Sequence, residues 1–201
     1  MVLGFPGLAL VSLLAQAATA ESLIQRLEER SRSTASLSAS FVQSYRSAAL
    51  GRELVERGTV KIKRPGRMLW EYEAPEKKTF VSDGKAFYFY VPAERQVIVR
   101  EQSGERGVAV KLLSGEAGIL SQFQASLDED GRLKLLPRHA DPELQRAYLE
   151  LDAAGRILGI EIWDAQGNRS RFRFEKLREN EALDDGLFRF RTPRGVTVIG
   201  G

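Results

Sequence analysis

Residues 58–91 alternate large apolar side chains with polar ones, and this period of two residues is typical of β-strands. The apolar positions are Val60, Ile62, Met68, Trp70, Tyr72, Phe80, Phe87 and Phe89. Pro-Gly at 65–66 and Asp-Gly at 83–84 interrupt the alternation where hairpin turns would connect the strands. The segment therefore predicts four successive strands with one bulky apolar face. Such a face needs a cover, which either the chain or a ligand has to supply.

The same alternation continues on both sides of this segment. Residues 41–45 predict a first strand, followed by a polar loop over residues 46–57. Further strands are predicted near residues 96–101, 126–127, 133–136, 148–151, 157–163, 170–174 and 188–191. Nine to eleven antiparallel strands with a few short helices predict a mainly β (α+β) fold, a curved sheet or incomplete barrel whose open side is filled by helices.

The first 20 residues differ from the rest of the chain. No charged side chain occurs between Val2 and Ala20, and residues 18–20, Ala-Thr-Ala, fit a signal-peptide cleavage site. We therefore expect a signal peptide over residues 1–20, cut after Ala20, and one soluble periplasmic domain over residues 21–201. A buried N-terminal helix is the alternative. Because Glu21 and not a cysteine follows the cut, we expect no lipid anchor on the mature chain.

Two helical regions are predicted. Ser22 and Gln25 suggest a capping box at the start of a helix with Leu23, Ile24 and Leu27 on its apolar side. In residues 107–123 the apolar residues are clustered, and glycines interrupt the middle, which predicts two short helices with a pliable joint. This second region is either a crossover packed on the sheet or a movable lid over the aromatic face.

Composition and motifs exclude several functions. The 201-residue chain has a net charge of +3 without long runs of one charge, so we expect no nucleic acid partner. It has no cysteine, which excludes disulfides and thiolate metal sites. The single histidine, His139, is predicted to lie in a solvated loop, and residues 128–130 predict a hairpin turn rather than a calcium site. We therefore expect no enzyme, cofactor or metal, and an apolar concavity suited to a lipid.

The chain resembles the periplasmic outer-membrane lipoprotein carrier family (LolA) at several motifs. They are Phe41-x-Gln43, Lys63-Arg64-Pro65, Met68, Trp70, Pro75, Val81-Ser82-Asp83-Gly84-Lys85, Tyr90, Gln96-Val97 and Phe188-x-Phe190-x-x-Pro193-x-Gly195-Val196-x-Val198. The resemblance implies an unclosed, strongly curved antiparallel half-barrel with short helices as a lid over its apolar concave face. It also implies a monomeric carrier of acylated lipoproteins, with an inner-membrane lipoprotein-releasing ABC transporter as donor and an outer-membrane lipoprotein acceptor as receiver.

The resemblance and the strand parity together suggest site residues. We expect a lipid-binding cavity formed by Met68, Trp70, Phe80, Phe87, Phe89, Leu112, Leu113, Ile119 and Leu120. By resemblance, Arg64 is the arginine that binds backbone carbonyls of the lid and keeps the empty cavity closed. Without the resemblance, Arg64 is interpreted as a charged end of an edge strand. At Met68 the family often has an aromatic residue.

Two other functions stay open. The same fold occurs in periplasmic regulators that sense envelope stress through bound lipid or protein, which usually have a second C-terminal domain. An enzyme that acts on lipids is the other class, and the lack of a histidine-centred motif argues against it.

Overall fold

The computed structural model describes residues 19–101, 108–115 and 118–200, and its strands form one twelve-stranded sheet. The strands are β1 (Ser36–Arg46), β2 (Glu53–Lys63), β3 (Arg67–Ala74), β4 (Lys78–Asp83), β5 (Ala86–Val91), β6 (Gln96–Glu101), β7 (Phe123–Leu127), β8 (Leu133–Pro137), β9 (Arg146–Leu151), β10 (Ile157–Trp163), β11 (Arg169–Glu179) and β12 (Thr197–Ile199). Their spatial order is β12-β6-β5-β4-β3-β2-β1-β11-β10-β9-β8-β7. The edges β12 and β7 do not pair with each other, so the sheet is unclosed, as predicted.

Two strand predictions need correction. Neighbouring strands run antiparallel except β12, which pairs in parallel with β6. The loop predicted over residues 46–57 is shorter, because β1 and β2 extend toward each other and leave only residues 47–52 as their connection.

Two helices and a 3₁₀ turn lie on the concave side of the sheet. α1 (Ala20–Ser33) contacts β7, and α2 (Val108–Ser114) contacts both β2 and β10. Because β1 and β11 separate β2 from β10, the sheet has to curve for one short helix to reach both. A 3₁₀ turn at Ile119–Gln122 follows α2, so the two short helices predicted for residues 107–123 are confirmed. No helix within the described ranges has the length and apolar character needed to cross a bilayer.

The start of α1 differs from the predicted one. Thr19 is the N-cap: its Oγ1 accepts from the Ser22 amide at 3.2 Å, and Ser22 Oγ accepts from the Thr19 amide at 3.1 Å. The capping box therefore lies one turn earlier than the predicted pair Ser22 and Gln25, since Gln25 instead donates to Glu29. Ala20 is already buried in the core.

The concave face carries the main core. In the register, Trp70 lies opposite Val60 and Phe80, and Phe80 lies opposite Phe89. Directly opposed residues share a face, so these side chains all point to the concave side. Phe41 lies among them, with its ring 5.0 Å from that of Trp70. Buried residues of the other strands complete this face: Leu37, Ala39, Ile62, Met68, Leu133, Leu135, Ala147, Leu149, Ile160, Phe172 and Phe174.

Three hairpin turns in the C-terminal half share one construction. Asp128, Asp152 and Asp164 each accept hydrogen bonds from the amides two and four residues later, and each turn contains a glycine with positive φ. The hairpin turn predicted for residues 128–130 is therefore confirmed. Burial alone would raise the pKa of Asp128, but hydrogen bonds from the main chain and side chain of Arg132 outweigh it and hold that pKa below its usual value.

The C-terminal segment covers part of the convex face. Phe188, predicted within an alternating strand, lies instead at the end of a 3₁₀ turn, Asp185–Phe188, and is buried against Leu69 and Val81. The ring of Phe190 stacks on that of Tyr88 at 5.4 Å. The strand predicted for residues 188–191 is wrong. This segment packs its aromatic side chains on the convex face and does not pair with a strand of the sheet.

Candidate functional site

A cavity of about 180 Å³ lies between the concave face of the sheet and α2. It is lined by Trp70, Tyr72, Lys78, Phe80, Phe89, Ala109, Val110 and Phe172. Aromatic rings and the side chain of Lys78 form the sheet side, and the small aliphatic side chains of Ala109 and Val110 form the α2 side. For scale, a cavity of roughly 150 Å³ in another protein holds one benzene molecule. The cavity is therefore of a size that fits one small aromatic molecule.

The residues predicted on the sheet side are placed as follows. Trp70, Phe80 and Phe89 line the cavity. Phe87 lies behind them, with its ring stacked 5.3 Å from that of Phe80, and is not a lining residue. Met68 is only 1% exposed and belongs to the packed core. All five side chains are on the predicted face, but two of them support the wall rather than form it.

The residues predicted on the helical side are displaced along the helix from the cavity. Leu112 and Leu113 are buried but line a separate space of about 40 Å³ beside Arg64. Ala109 and Val110, one turn earlier on α2, line the aromatic cavity instead. Leu120 is buried in the core, and the side chain of Ile119 lies outside the described residues.

Arg64 binds the ends of two helices at once. Its Nε donates to the carbonyl of Ser114 at 2.7 Å and its Nη2 to that of Leu113 at 3.3 Å, both at the C-terminal end of α2. Its Nη1 donates to the carbonyls of Ser31 and, at 2.5 Å, Thr34, at the end of α1. The last carbonyls of a helix lack partners within it and carry partial negative charge, which a guanidinium satisfies. We call Arg64 and these four carbonyls the latch.

The surroundings of the latch explain its position. The predicted contact between Arg64 and residues 108–123 is confirmed, and the edge-strand interpretation is wrong, because β2 is an interior strand. Gly115 has a φ of +64°, which favours glycine, and a Cβ there would lie 2.5 Å from Nη2 of Arg64, so any other residue would displace the guanidinium. Burial lowers the pKa of Arg64, an effect opposed by the charge of Glu179, and the guanidinium remains protonated at neutral pH.

An ion pair next to the latch, between Arg30 and Glu179, was not predicted from the sequence. Arg30 on α1 makes two hydrogen bonds to the carboxylate of Glu179 on β11, and the Glu179 side chain is only 10% exposed. Thr34 Oγ1 donates to the Arg30 carbonyl at 2.8 Å. This pair ties α1 to β11, so the α1 half of the latch is anchored to the sheet by an ion pair as well as by packing. A separation of 149 residues leaves no local signal for the pair.

A polar cluster also borders the cavity and was likewise missed. Lys78 Nζ lies 2.5 Å from Oε1 of Glu56, and 4.7 Å from the centre of the Tyr72 ring. The hydroxyl of Tyr72 donates to Oε1 of Gln43 at 2.8 Å. On β2 between their strands, a Cβ at Gly58 would lie 2.0 Å from the Glu71 carbonyl oxygen and 3.0 Å from the Phe41 ring, so glycine allows the close approach there. Burial, and then the charge of Glu56, raise the pKa of Tyr72, so the phenol stays protonated and acts as a donor.

Other candidates for chemistry lie apart from this site. His139 is exposed in the connection between β8 and β9. No group of three metal-binding side chains occurs in the part of the chain that the structure describes.

Comparison with known proteins identifies the family. The family model of the outer membrane lipoprotein carrier protein LolA matches residues 32–191. An outer-membrane lipoprotein carrier protein of Alkalilimnicola ehrlichii is 34% identical, over 92% of this chain and 85% of the relative. One of Chromohalobacter salexigens is 32% identical, over 92% and 88%.

Solved structures support the fold at low sequence identity. An uncharacterized conserved protein of Thermus thermophilus is similar with a TM-score of 0.52 at 17% identity, over 90% of this chain and 98% of that one. A chain of the Pseudomonas aeruginosa MucA/MucB complex has a TM-score of 0.50 at 17% identity, over 86% and 61%. The residues matched by the family model include nearly the whole sheet, Arg64 and the cavity wall, and the chain belongs to the outer membrane lipoprotein carrier protein (LolA) family.

Proposed function

We propose that this chain is a periplasmic carrier that binds the acyl chains of lipoproteins released from the inner membrane and delivers them to the outer membrane. The observation that carries the proposal is the aromatic cavity beneath α2, with Arg64 joining that helix to α1. A carrier of this kind needs an apolar site that opens to accept hydrocarbon and closes when empty. Trp70, Phe80 and Phe89 supply the apolar site, and Arg64 supplies the closure.

The physical difficulty for such a carrier is release. Burying a methylene contributes roughly 0.8 kcal/mol, so two or three long acyl chains could gain on the order of 30 kcal/mol. Non-covalent affinities reach only about 18–21 kcal/mol, and cargo held so tightly would not leave. A working carrier therefore has to bury the chains incompletely or oppose their binding.

The latch supplies an opposing free energy. When α2 moves away from the sheet, the bonds from Arg64 to Ser114 and Leu113 break, while those to α1 can persist. Each hydrogen bond from a charged donor contributes about 1.5–3 kcal/mol. The closed state is therefore favoured whenever no cargo is present, which assists delivery. In this proposal Arg64 is the gate, and the side chains buried around the cavity, including Phe87, Leu112, Leu113 and Leu120, become cargo contacts when α2 opens.

The proposal extends to location and partners. Residues 1–20 act as a signal peptide, and residues 21–201 form one carrier domain that works as a monomer. The donor is an inner-membrane lipoprotein-releasing ABC transporter, and the receiver is an outer-membrane lipoprotein acceptor. This role is transport and not catalysis. The likeness to a chain of the MucA/MucB complex concerns the fold alone and does not favour a regulator.

The test is to identify molecules bound to the protein in the cell. We expect mass spectrometry of the protein isolated from the periplasm to detect acylated peptides. Ala109→Trp, which fills the cavity from α2, should remove them, whereas Ala154→Trp in an exposed turn should not. Circular dichroism checks that both variants fold. Free phospholipid alone would indicate a different lipid shuttle, and no bound lipid in the wild type would contradict the carrier.

A further inference from the structure

A cavity made only for hydrocarbon does not explain the polar cluster of Gln43, Glu56, Tyr72 and Lys78. Of the described residues that line the cavity, Lys78 is the one with a charge. Its partner Glu56 has a side chain only 6% exposed, and that of Lys78 is 21% exposed. Removing an ion pair from water is costly, and apolar replacements of buried pairs are often neutral or stabilising. A pair kept at the wall of an apolar cavity therefore suggests a ligand with a polar group.

The hydrogen-bond inventory leaves donors for such a group. The ammonium of Lys78 has three N–H groups, and Glu56 is its one hydrogen-bonding or ionic partner among the described residues. The side-chain oxygen of Gln43 accepts from Tyr72, and its amide nitrogen has no acceptor in the described part of the chain. The cluster can thus donate to an added oxygen without losing its internal bonds. An acceptor is the complementary ligand group.

We propose that this cluster binds the neutral carbonyl of an ester or amide that joins an acyl chain to the rest of the cargo. The carbonyl oxygen accepts from Lys78, and the hydrocarbon extends from there toward Trp70, Phe80 and Phe89. This inference rests on the proposed function, since it assigns a polar end to the same cavity. The polar contact fixes how far the acyl chain extends into the cavity, which hydrophobic contacts alone would not determine.

The pairing with Glu56 selects a neutral acceptor over an anion. Lys78 and Glu56 together have no net charge, so a carboxylate ligand would gain attraction from one and repulsion from the other within a few ångströms. A carbonyl oxygen carries no full charge and avoids that repulsion. Fatty acids are therefore expected to bind less well than their esters.

The test compares ligands of one chain length on matched variants. Dissociation constants of methyl dodecanoate, dodecanoate and dodecane are measured by displacement of N-phenyl-1-naphthylamine from the full chain. Glu56→Gln with Lys78→Met removes both charges together, so that no buried charge is left unpaired. Glu76→Gln with Lys77→Met makes the same changes at the adjacent, exposed positions and is the control. Circular dichroism verifies that both double variants are folded.

We expect the cavity variant to lose about tenfold in affinity for the ester, the effect of one charge-assisted hydrogen bond, and less than about twofold for dodecane. The control should match the wild type with all three ligands. If the cavity variant loses affinity equally for the ester and for dodecane, or loses none, the inference is overturned. The proposed binding of acyl chains would not be affected by that result. Tighter binding of dodecanoate than of the ester by the wild type would overturn the preference for a neutral group. Failure of the wild type to bind any ligand would instead refute the proposed function.

Discussion

Replacing Arg64 with leucine should turn the carrier into one that loads but does not deliver. In the closed arrangement, the guanidinium makes two hydrogen bonds to carbonyls at the end of α2, at 2.7 and 3.3 Å. Leucine cannot make them, and buried carbonyls without partners are costly, which further disfavours closure. The closed, empty state is then less stable, so it no longer competes effectively with the open, loaded state.

The size of the effect follows from the number of bonds broken on opening. Two charge-assisted bonds at about 1.5–3 kcal/mol each amount to about 3–6 kcal/mol. Since every 1.4 kcal/mol is a factor of ten, cargo affinity should rise by about 10²–10⁴. The bonds to Ser31 and Thr34 do not enter this sum, because they join Arg64 to the anchored helix α1.

The assay has two steps: loading of a lipoprotein from inner-membrane vesicles, then release to the outer-membrane acceptor. Affinity for a diacylated lipopeptide is measured in parallel through the fluorescence of Trp70, in a Trp163→Phe background that leaves it the only tryptophan. Arg67→Leu is the matched control, since Arg67 binds Asp185 on the convex side rather than the lid. If Arg64→Leu releases cargo as fast as this control and binds it no more tightly, the latch account is wrong.

Three further predictions concern the latch, a turn and the N-terminus. Gly115→Ala should force the Arg64 guanidinium away from α2 and raise lipopeptide affinity by about tenfold, roughly the effect of one latch bond, in the same fluorescence titration. Asp128→Ala should lower the free energy of unfolding in urea by about 1–3 kcal/mol at neutral pH through lost hydrogen bonds. Because the folded pKa of Asp128 is depressed, its contribution is complete above the unfolded pKa of about 3.9 and is lost as pH falls through the folded pKa, so the variant and wild type should converge in acid. N-terminal sequencing of the periplasmic protein should give Glu21, and a chain that also keeps the Thr19 cap should be more stable by about 1 kcal/mol.

Each of these predictions has a control or a contrary result. Gly51→Ala places alanine at a similar φ of +60° with no atom within 4 Å, so it should leave lipopeptide affinity unchanged. Asp130→Ala tests an exposed carboxylate of the same turn and should have little effect on unfolding. A difference between Asp128→Ala and wild type that persists below pH 2 would contradict the role of the charge. Residues 1–20 still present on the periplasmic protein would contradict the signal peptide.

The sheet could be predicted because its main hairpins are local. The turn at 83–84 and the alternation around Phe80 and Phe89 involve neighbouring residues, so a period of two is enough to determine which side chains share a face. The position of β12 could not be found this way. A three-residue exposed strand that pairs in parallel with β6 depends on an available sheet edge, which has no local pattern.

The cavity was predicted less completely than the sheet. Large apolar residues such as Leu112 and Leu113 were expected to line it, but they fill the space next to them and the free volume lies beside the smaller Ala109 and Val110. The hydrogen bonds of Arg64 followed from the family resemblance, since the pattern around it indicated only a strand end. The pair of Glu56 and Lys78 forms across β2, β3 and β4, and no rule of spacing connects the two residues.

The most direct test of the account asks which face of β5 touches the acyl chain. Phe89 and Tyr88 are adjacent in sequence but lie on opposite faces: Phe89 lines the cavity, and Tyr88 stacks on Phe190. A benzophenone amino acid is placed at one position or the other, the protein is loaded with an acylated lipoprotein, and the sample is irradiated. The account predicts a crosslink to the acyl chain from position 89 and none from position 88. Equal crosslinking from both positions, or crosslinking from position 88 alone, would contradict binding of acyl chains in the concave cavity.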